Sequence, residues 1–394
     1  MPVVAGRLDQ RGDVATFTYG RSYLQRADAV SLYLPELPLV RGVIEPPPGL
    51  TIASAMRDAA PDAWGQRVIL SRHTGRLGSG SDTGDLSMLT YLLESGSNRI
   101  GALDFQESPI DYVPREQAAS LEQLQNAAAD LEEGRPLPDA LAVALTRGTS
   151  IGGARPKASV VDGRRQLIAK FSSTSDTYPV VKAEAAAMHL ARAAGVEVPD
   201  VELVRVADKD VLLIERFDRP SGAPGTRRMM VSALTLAGLD EVFGRYATYW
   251  EFADLIRARF TDAEPTLHQL FRRIVFNICV GNTDDHARNH AAFWDGSMLT
   301  LTPAYDLCPQ PRSGEEAQQA LAISPDGSRS SQIATCVRAA GHYLLGADAA
   351  ADIADDVVDH VRAGWPDAAD RAQLTQTERD RLWGRQILNP FTFY

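Results

Sequence analysis

The chain has 394 residues and a formal net charge of −11 at pH 7, with 44% hydrophobic and 23% charged residues. This length predicts two or three sub-domains, each with its own core, while the acidic balance argues against a general nucleic-acid coat, which needs a basic surface. No run approaches the roughly 18 apolar residues of a membrane-spanning helix, and the first residues show no apolar signal core, so neither membrane insertion nor secretion is expected.

The N-terminal part of the chain predicts a small mixture of strands and helices. The segments "DVATFTYG" and "AVSLYL" place β-branched and aromatic residues between turn signals, which favours strands. Three prolines at 46–48 cannot lie inside an element and end this stretch. Helices are predicted after them, one with Pro61 at its start and one in "DLSMLTYLLESG", followed by a strand in "RIGALDF".

The middle of the chain predicts a sheet with one prominent helix. Residues 117–145 are rich in Ala, Leu and Glu and predict helices interrupted by two prolines. A glycine loop, "TSIGGARPK", leads into a strand, and "RQLIAKF" predicts the next strand. The helix "VVKAEAAAMHLARAAG" follows a proline and stops at Gly195, and "VELVRV" and "DVLLIERF" predict two more strands. After Pro220 the pattern is helical almost to the end.

These elements predict an α+β fold with a mixed N-terminal sub-domain at 1–108, a strand-rich lobe at 109–220 and a helical lobe at 221–394. A β-rich lobe followed by a helical lobe can hold a nucleotide in the cleft between them, although the arrangement alone does not establish a function. The three cysteines are widely spaced and odd in number, which predicts reduced thiols and a cytoplasmic protein rather than a disulfide framework.

The most informative stretch is "GNTDDHARN", followed by "LTPAYDL". Asp284 and Asn289 are five residues apart, and Asp306 follows at the end of a short apolar segment predicted as a strand. Protein kinases use an Asp, an Asn five residues later and a second Asp as base and magnesium ligands. Taken alone, these residues fit a polar helix-capping loop equally well. A metal site at His286 and His290, four residues apart on a predicted helix, is a further alternative.

Upstream features favour the phosphoryl-transfer interpretation. Lys170 ends the strand "LIAKF", like the phosphate-pairing lysine of a kinase, and Glu184 in the next helix can hold it. Gly152 and Gly153 let backbone N–H groups approach phosphates, and Lys157 adds a positive charge. The strand "LLIERF" is either the hinge beside the adenine or a plain core strand.

The chain resembles the HipA family of toxin serine/threonine kinases in six segments that occur in the family's order: "TSIGGARPK", "LIAKF", "VKAEAAAMHLARAAG", "LLIERFDR", "NTDDHARN" and "LTPAYDL". Two earlier segments, "PDAWGQRV" and "RIGALDF", resemble that family's N-terminal region. The resemblance implies a bilobal, protein-kinase-like fold with an extra N-terminal sub-domain. It implies ATP and Mg²⁺ as cofactors, Asp284 as the catalytic residue, Asn289 and Asp306 as metal ligands, and Ser150 as an autophosphorylation site whose modification inactivates the enzyme. The predicted ATP-binding set is Gly152, Gly153, Ala154, Arg155, Lys157, Lys170, Glu184, Glu215, Arg216, Phe217, His286, Asn289, Tyr305 and Asp306.

The sequence departs from the family pattern at two places. Asp285 stands where many relatives have glycine, which adds a negative charge beside the predicted metal site. Arg155 and Pro156 stand where relatives often have Gln and Glu, and the proline removes an N–H donor from the phosphate loop. Both changes affect the expected ATP affinity and loop mobility.

The resemblance also implies partners: a HipB-like helix-turn-helix antitoxin, a protein substrate such as an aminoacyl-tRNA synthetase, and operator DNA only through the antitoxin. Two other functions stay open: a non-catalytic scaffold for the antitoxin on DNA, and a kinase for a small-molecule or lipid acceptor. A membrane partner is not expected, because no basic amphipathic helix is evident.

Overall fold

Three antiparallel sheets organise the part of the chain that the computed structural model describes, namely residues 2–74, 83–115, 119–135, 137–145, 155–173, 176–220 and 225–394. The first has the order β1-β2-β3, the second β4-β5-β7-β6 and the third β10-β9-β8. The strands are β1 (Gly6–Arg11), β2 (Val14–Tyr19), β3 (Val43–Ile44), β4 (Lys157–Asp162), β5 (Arg165–Phe171), β6 (Val201–Val206), β7 (Lys209–Glu215), β8 (Met229–Ser232), β9 (Ala291–Trp294) and β10 (Leu299–Leu301).

Helices cover the sheets and form most of the C-terminal part. They are α1 (Arg21–Leu24), α2 (Ser54–Arg57), α3 (Ala63–Thr74), α4 (Met88–Glu94), α5 (Leu121–Glu132), α6 (Asp139–Leu145), α7 (Val180–Ala193), α8 (Ala233–Leu236), α9 (Tyr249–Arg259), α10 (Ala263–Val280), α11 (Ile333–Arg338), α12 (Ala347–Arg371) and α13 (Gln376–Leu382). Short 3₁₀ turns lie between them, including Ala287–Asn289. Within the described ranges, none of these helices combines the length and the apolar character needed to span a bilayer.

The four-stranded sheet is covered on both faces, because successive side chains of its strands pack into two different hydrophobic clusters. Leu167 and Phe171 of β5 belong to one hydrophobic cluster, which includes residues of α3, α5 and α6. Ile168 faces the other side and joins the large cluster that includes α7, α10 and α12. Side chains on one strand point alternately to the two faces, so Lys170 lies on the same face as Ile168, toward α7. This alternation of side chains directs Lys170 toward α7.

Most predicted elements are confirmed, and the α+β class with them. Two predicted strands are wrong. The segment "AVSLYL" makes only an isolated bridge between Tyr33 and Leu37, because its buried side chains pack in a turn rather than beside a strand. The segment "RIGALDF" forms no strand within the described ranges, and its Gly101 N–H donates to the Asp218 carboxylate at 2.8 Å.

Three further expectations need correction in the C-terminal part. The chain after Pro220 is not helical throughout, because β8, β9 and β10 form a small sheet there. Asp306 does not end a strand: β10 stops at Leu301, and Asp306 lies in the following loop with a φ of +60°. His286 and His290 flank the 3₁₀ turn rather than sharing a helix.

Gly281 ends α10 immediately before the polar stretch "NTDDHARN" and packs against the C-terminal segment. It has a φ of +70°, and a Cβ placed on it would lie 2.6 Å from the backbone oxygen of Gln386. Nearby, Leu388 N–H donates to the Cys279 carbonyl at 2.7 Å. The C-terminal segment therefore packs on the core, and only glycine fits at position 281.

We expect Gly281→Ala to lower the free energy of unfolding by about 3 kcal/mol, the sum of left-handed backbone strain and steric overlap. Chemical denaturation checks this. Gly384→Ala is the matched control, because Gly384 has a φ of +73° but no atom within 4 Å of its Cβ position. The control should lose only about 1 kcal/mol. Equal losses in the two variants would show that contact with Gln386 is unimportant.

Candidate active site

Lys170 lies at the centre of a buried charge cluster formed by three separate elements. Its Nζ is 2.6 Å from Glu184 Oε1 and 2.5 Å from Asp306 Oδ1. Lys170 comes from β5, Glu184 from α7 and Asp306 from the loop after β10. Burial alone would lower the pKa of Lys170, but the two carboxylates outweigh it and raise that pKa above its ordinary value. The ammonium is therefore held in its charged form.

The loop after α10 carries Asp284 and Asn289. The Asp284 side chain is exposed, and its backbone carbonyl accepts a hydrogen bond from Asn289 Nδ2 at 3.2 Å. Partial burial, followed by the charges of Asp306 and Asp285, raises the pKa of Asp284, while the charge of His286 opposes this. The carboxylate is thus accessible, and its proton affinity is higher than that of an ordinary aspartate.

Asp285, which is expected from the sequence to add a negative charge beside the metal site, is buried and faces the interior. Its Oδ2 accepts hydrogen bonds from Tyr249 Oη at 2.5 Å and Asn277 Nδ2 at 2.8 Å, and lies 2.8 Å from His290 Nε2. Burial works against its ionisation, yet His290 and the hydrogen bonds hold the pKa of Asp285 below its ordinary value. Asp285 therefore anchors the loop to α9 and α10.

Asp285→Ala is expected to lower the free energy of unfolding by about 3–5 kcal/mol, because it leaves a buried hydroxyl, amide and imidazole without their shared acceptor. Urea denaturation at pH 7 measures this. Asp352→Ala, on the exposed side of α12, should change stability by less than about 0.5 kcal/mol.

The effect of Asp285→Ala should also depend on pH. A carboxyl group whose pKa is lower in the folded state stabilises the protein above its unfolded pKa, and this contribution is lost as pH falls through the folded value. The ordinary value for Asp285 is 3.8. The stability difference between wild type and variant should stay constant at neutral pH and shrink below about pH 4. A stability difference between wild type and Asp285→Ala that does not change on acidification would contradict the assignment of Asp285 as an ionised carboxylate.

A cleft of about 1040 Å³, including its open mouth, lies beside the Lys170 cluster. Its lining includes the apolar side chains of Leu103, Ile168, Ile214 and Met229 and the charged side chains of Lys157, Lys170, Arg288, Asp58 and Asp306. In the sheet Ile168 pairs with Ile214, whereas Lys170, two residues further along β5, pairs with Lys157, so we call these two places the apolar end and the charged end of the cleft. Apolar side chains at one end and lysines at the other suit a ligand with a flat ring system and an anionic tail.

The predicted hinge residues Glu215, Arg216 and Phe217 line this cleft. The Phe217 ring packs 5.8 Å from Tyr305 between ring centroids, and Tyr305 Oη donates to the Arg288 carbonyl at 2.6 Å. The Arg216 guanidinium is held by contacts within the protein. It binds Asp218 at 2.8 and 3.0 Å and donates to the Arg99 carbonyl at 2.6 Å. Arg216 therefore has a structural side chain, and its backbone N–H is also in use, because it donates to the Gln166 carbonyl at 2.9 Å.

Two predicted residues near the glycine loop have ion-pair partners. Arg155 binds Asp176, with one nitrogen 3.0 Å from Oδ2. Lys157 Nζ lies 2.5 Å from Asp62 Oδ2. Ser150, Gly152, Gly153 and Ala154 lie outside the described residues, so their predicted roles stay predictions.

Sequence reasoning missed three residues that border this region: Asp58, Asp62 and Arg288. Asp58 accepts hydrogen bonds from the backbone and side chain of Ser232 at 2.7 and 2.8 Å. Arg288 pairs with Glu241 and lies 3.9 Å from Asp58. The only available signals were the position of Asp62 after a helix-starting proline and the position of Arg288 inside "DDHARN".

The residues present fit a magnesium nucleotide. Asn289 Oδ1 is buried and has no hydrogen-bond partner among the described residues, so it is an oxygen ligand left available. Asp306 contributes a carboxylate whose pKa is held down by Lys170 and Lys157 against the effect of burial. Magnesium is commonly bound by one or two such oxygens together with substrate phosphates. No group of three or more His, Cys, Asp or Glu side chains in the described ranges is placed to hold a metal ion.

Comparison with known proteins places this site in a family. The family model described as the HipA-like C-terminal domain matches residues 149–365, which is more than half of the chain. The chain is 28% identical over 150 residues to "Putative kinase Y4mE" of Sinorhizobium fredii, covering 36% of this chain and 33% of that protein. It is 24% identical over 203 residues to "Serine/threonine-protein kinase toxin HipA" of Shewanella oneidensis, covering 45% and 46%. The matches thus span less than half of each curated relative.

The fold is also similar to a solved structure. The Shewanella oneidensis HipA, determined in a complex with HipB and operator DNA, superimposes with a TM-score of 0.71 at 18% identity, covering 98% of this chain and 97% of that one. At this identity the likeness establishes the fold alone. The predicted kinase-like α+β fold is therefore confirmed.

Proposed function

The chain belongs to the HipA family, and from that premise we propose that it is an ATP- and Mg²⁺-dependent serine/threonine protein kinase, the cytoplasmic toxin of a toxin–antitoxin module. The observation that carries this proposal is the position of Lys170 between Glu184 and Asp306 at the charged end of the cleft. Lysines held in this way bind nucleotide phosphates in kinases.

Each residue of the site has a role in the proposed reaction. The apolar end of the cleft takes the adenine, beside Ile168 and Met229. Lys170 contacts the phosphates of ATP, and its charge offsets negative charge during transfer. Asp284 accepts the proton of the attacking hydroxyl group, for which its exposure and raised pKa suit it.

Asn289 and Asp306 would hold Mg²⁺. The bound ion supplies charge neutralisation and orientation of the phosphate oxygens. The chain's own contribution is to fix these two oxygens: Asn289 through its bond to the Asp284 carbonyl, and Asp306 through Lys170. Asn282 adds a weaker contact at 3.4 Å to the Asp306 carbonyl.

If ATP and Mg²⁺ are the cofactors, phosphoryl transfer should depend on Mg²⁺. We expect MgATP to bind with a measurable heat in titration calorimetry, and chelation by EDTA to abolish phosphoryl transfer. Added Mg²⁺ should restore it, whereas added Na⁺ at equal ionic strength should not. A chain that binds no nucleotide with or without Mg²⁺ would instead favour a non-catalytic scaffold.

We also propose that Ser150 is the autophosphorylation site and that its modification inactivates the enzyme. A phosphate adds about two negative charges beside the phosphates of ATP, which would repel them. Mass spectrometry after incubation with MgATP should locate one phosphate on Ser150, and Ser150→Ala should stay active for longer. Phosphate at another residue would contradict this assignment.

The proposed partners are a HipB-like helix-turn-helix antitoxin, through which operator DNA is contacted, and a translation protein such as an aminoacyl-tRNA synthetase as substrate. The relative named "Serine/threonine-protein kinase toxin HipA" and the HipA–HipB–DNA complex support these proposals by likeness alone. Phosphoproteomics of a lysate treated with the chain and MgATP, compared with Asp284→Asn, identifies the acceptor directly.

A further inference from the structure

The motif "PDAWG" at 61–65 has no role in the proposed reaction, yet it contacts Lys157, which lines the charged end of the cleft. Asp62 precedes α3, and its Oδ1 accepts the Gly65 N–H at 2.9 Å. Its second oxygen, Oδ2, lies 2.5 Å from Lys157 Nζ. Both side chains are almost fully buried, with 3% and 2% of their surfaces exposed. The N-terminal region thus supplies a carboxylate to a lysine of the central sheet.

The strand register places Lys157 beside Lys170. The two lysines are direct partners in the antiparallel pair β4–β5, so their side chains leave the same face of the sheet. Both line the cleft, whereas Asp62 does not. The charge of Lys157 also helps to lower the pKa of Asp306. Lys157 therefore belongs to the charged end, and Asp62 lies behind it.

The two lysines differ in how their charges are compensated. Lys170 contacts two carboxylates, one of which, Asp306, is also a proposed metal ligand. Lys157 contacts Asp62, which has no other role in the proposed site. A buried carboxylate at 2.5 Å cancels much of the attraction of an ammonium for a further anion. Lys157 should consequently attract phosphates less than its charge alone suggests.

We propose that Asp62 is a positioning residue of the nucleotide site, which fixes Lys157 at the phosphate end of the cleft and weakens its attraction for polyphosphates. This inference rests on the proposed function, because it requires the cleft to bind ATP. It assigns the N-terminal region a direct part in setting nucleotide affinity. Weaker binding allows the product ADP to leave.

The simplest competing role for Asp62 is structural, as the cap of α3 and the neutralising partner of a buried lysine. Asp62→Asn separates the two roles, since asparagine caps helices as well as aspartate does, whereas it removes the charge and places an amide N–H₂ instead of an oxygen beside the Lys157 ammonium. We expect Asp62→Asn to bind MgATP and MgADP about tenfold more tightly than wild type, because the variant lacks the negative charge that opposes binding of the phosphates at Lys157. Titration calorimetry gives both affinities.

Adenosine provides the internal control, since it fills the apolar end of the cleft and carries no phosphate. Its affinity should not change in Asp62→Asn. Loss of both adenosine and MgATP binding would indicate a structural defect and overturn the inference. Unchanged or weaker MgATP binding, with adenosine binding intact, would overturn it as well.

The double variant Asp62→Asn with Lys157→Met tests the inference without leaving a buried charge. Replacement of a buried ion pair by neutral groups is often tolerated, so this variant is expected to fold. If Asp62 weakens the attraction of Lys157 for phosphates, the MgATP affinity of the double variant should be less than about threefold below that of wild type. A loss of more than about tenfold would show that Lys157 acts at full strength and overturn the inference.

The outcomes for the inference and for the proposed function are distinguishable. If wild type binds neither MgATP nor adenosine, the proposed function fails. If wild type binds both, but the two variants do not shift MgATP affinity as stated, only the role of Asp62 fails.

Discussion

Asp284→Asn is expected to lower the rate of ATP-dependent phosphoryl transfer by about 10³-fold while leaving MgATP affinity within about threefold. Asparagine keeps the size and polarity of the side chain but cannot accept the proton of the attacking hydroxyl. Asp284 is exposed and does not line the cleft, so its loss should not disturb nucleotide binding. Single-turnover transfer of labelled phosphate and calorimetry measure the two quantities separately.

Asp352→Asn is the matched control for Asp284→Asn, because it removes one exposed carboxylate from α12, which contributes no residue to the cleft. Its transfer rate should equal that of wild type. A rate for Asp284→Asn within about threefold of wild type would exclude Asp284 as the base.

The wild-type rate should also report the raised pKa of Asp284. The base acts only when ionised, so transfer should fall as pH decreases through its pKa. Because burial and the neighbouring carboxylates raise that pKa above 3.8, the decline should begin at a higher pH than for an ordinary aspartate.

Lys170→Met is expected to lower the transfer rate by about 10²–10³-fold and to weaken MgATP binding as well. The variant loses the cation that contacts the phosphates. It also leaves Glu184 and Asp306 facing each other in a buried site without the ammonium between them. Breaking such a cluster should also lower stability by about 3–5 kcal/mol, which thermal denaturation checks.

Lys182→Met is the matched control for Lys170→Met. Lys182 lies in α7, is also buried, and donates to the Gln373 carbonyl at 3.1 Å and to Glu378 at 3.4 Å. It has ion-pair partners of the same kind but does not line the cleft. We expect this variant to lose stability and to keep its transfer rate within about threefold. Equal loss of transfer in both variants would assign the effect to α7 rather than to phosphate contact.

Local patterns in the sequence were sufficient for the elements that carry the site. The segment "RQLIAKF" is predicted as a strand that carries Lys170, and it forms β5, which is buried from Leu167 to Phe171. The segment "AVSLYL" has a similar composition and is not a strand, because β-propensity reports burial on a pleated surface rather than the presence of a pairing partner. Strand pairing depends on distant segments, which a short pattern does not describe.

The same limit applies to side-chain partners. The order of Lys170, Glu184 and Asp306 along the chain matched a known constellation, and the structure brings the three together. The partners of Asp62 and Asp285 follow no such spacing. Lys157 is far from Asp62 along the chain, and Asp285 turns inward because Tyr249, Asn277 and His290 converge on it. These contacts depend on packing between elements, and no local sequence signal reports them.

The contact between Gly281 and the C-terminal segment has a consequence for synthesis of the protein. Every described residue of the proposed reaction precedes position 310, whereas the segment against which Gly281 packs is made on the order of a hundred residues later than Gly281, or roughly 5–20 s at ordinary elongation rates. Once Asp306 has been made, the nascent chain has the proposed base, lysine and metal ligands but still lacks a support for the loop that follows Gly281. We expect a ribosome-bound chain that stops before Gln386 to be inactive, so that the proposed phosphoryl transfer would begin only after this segment has been made.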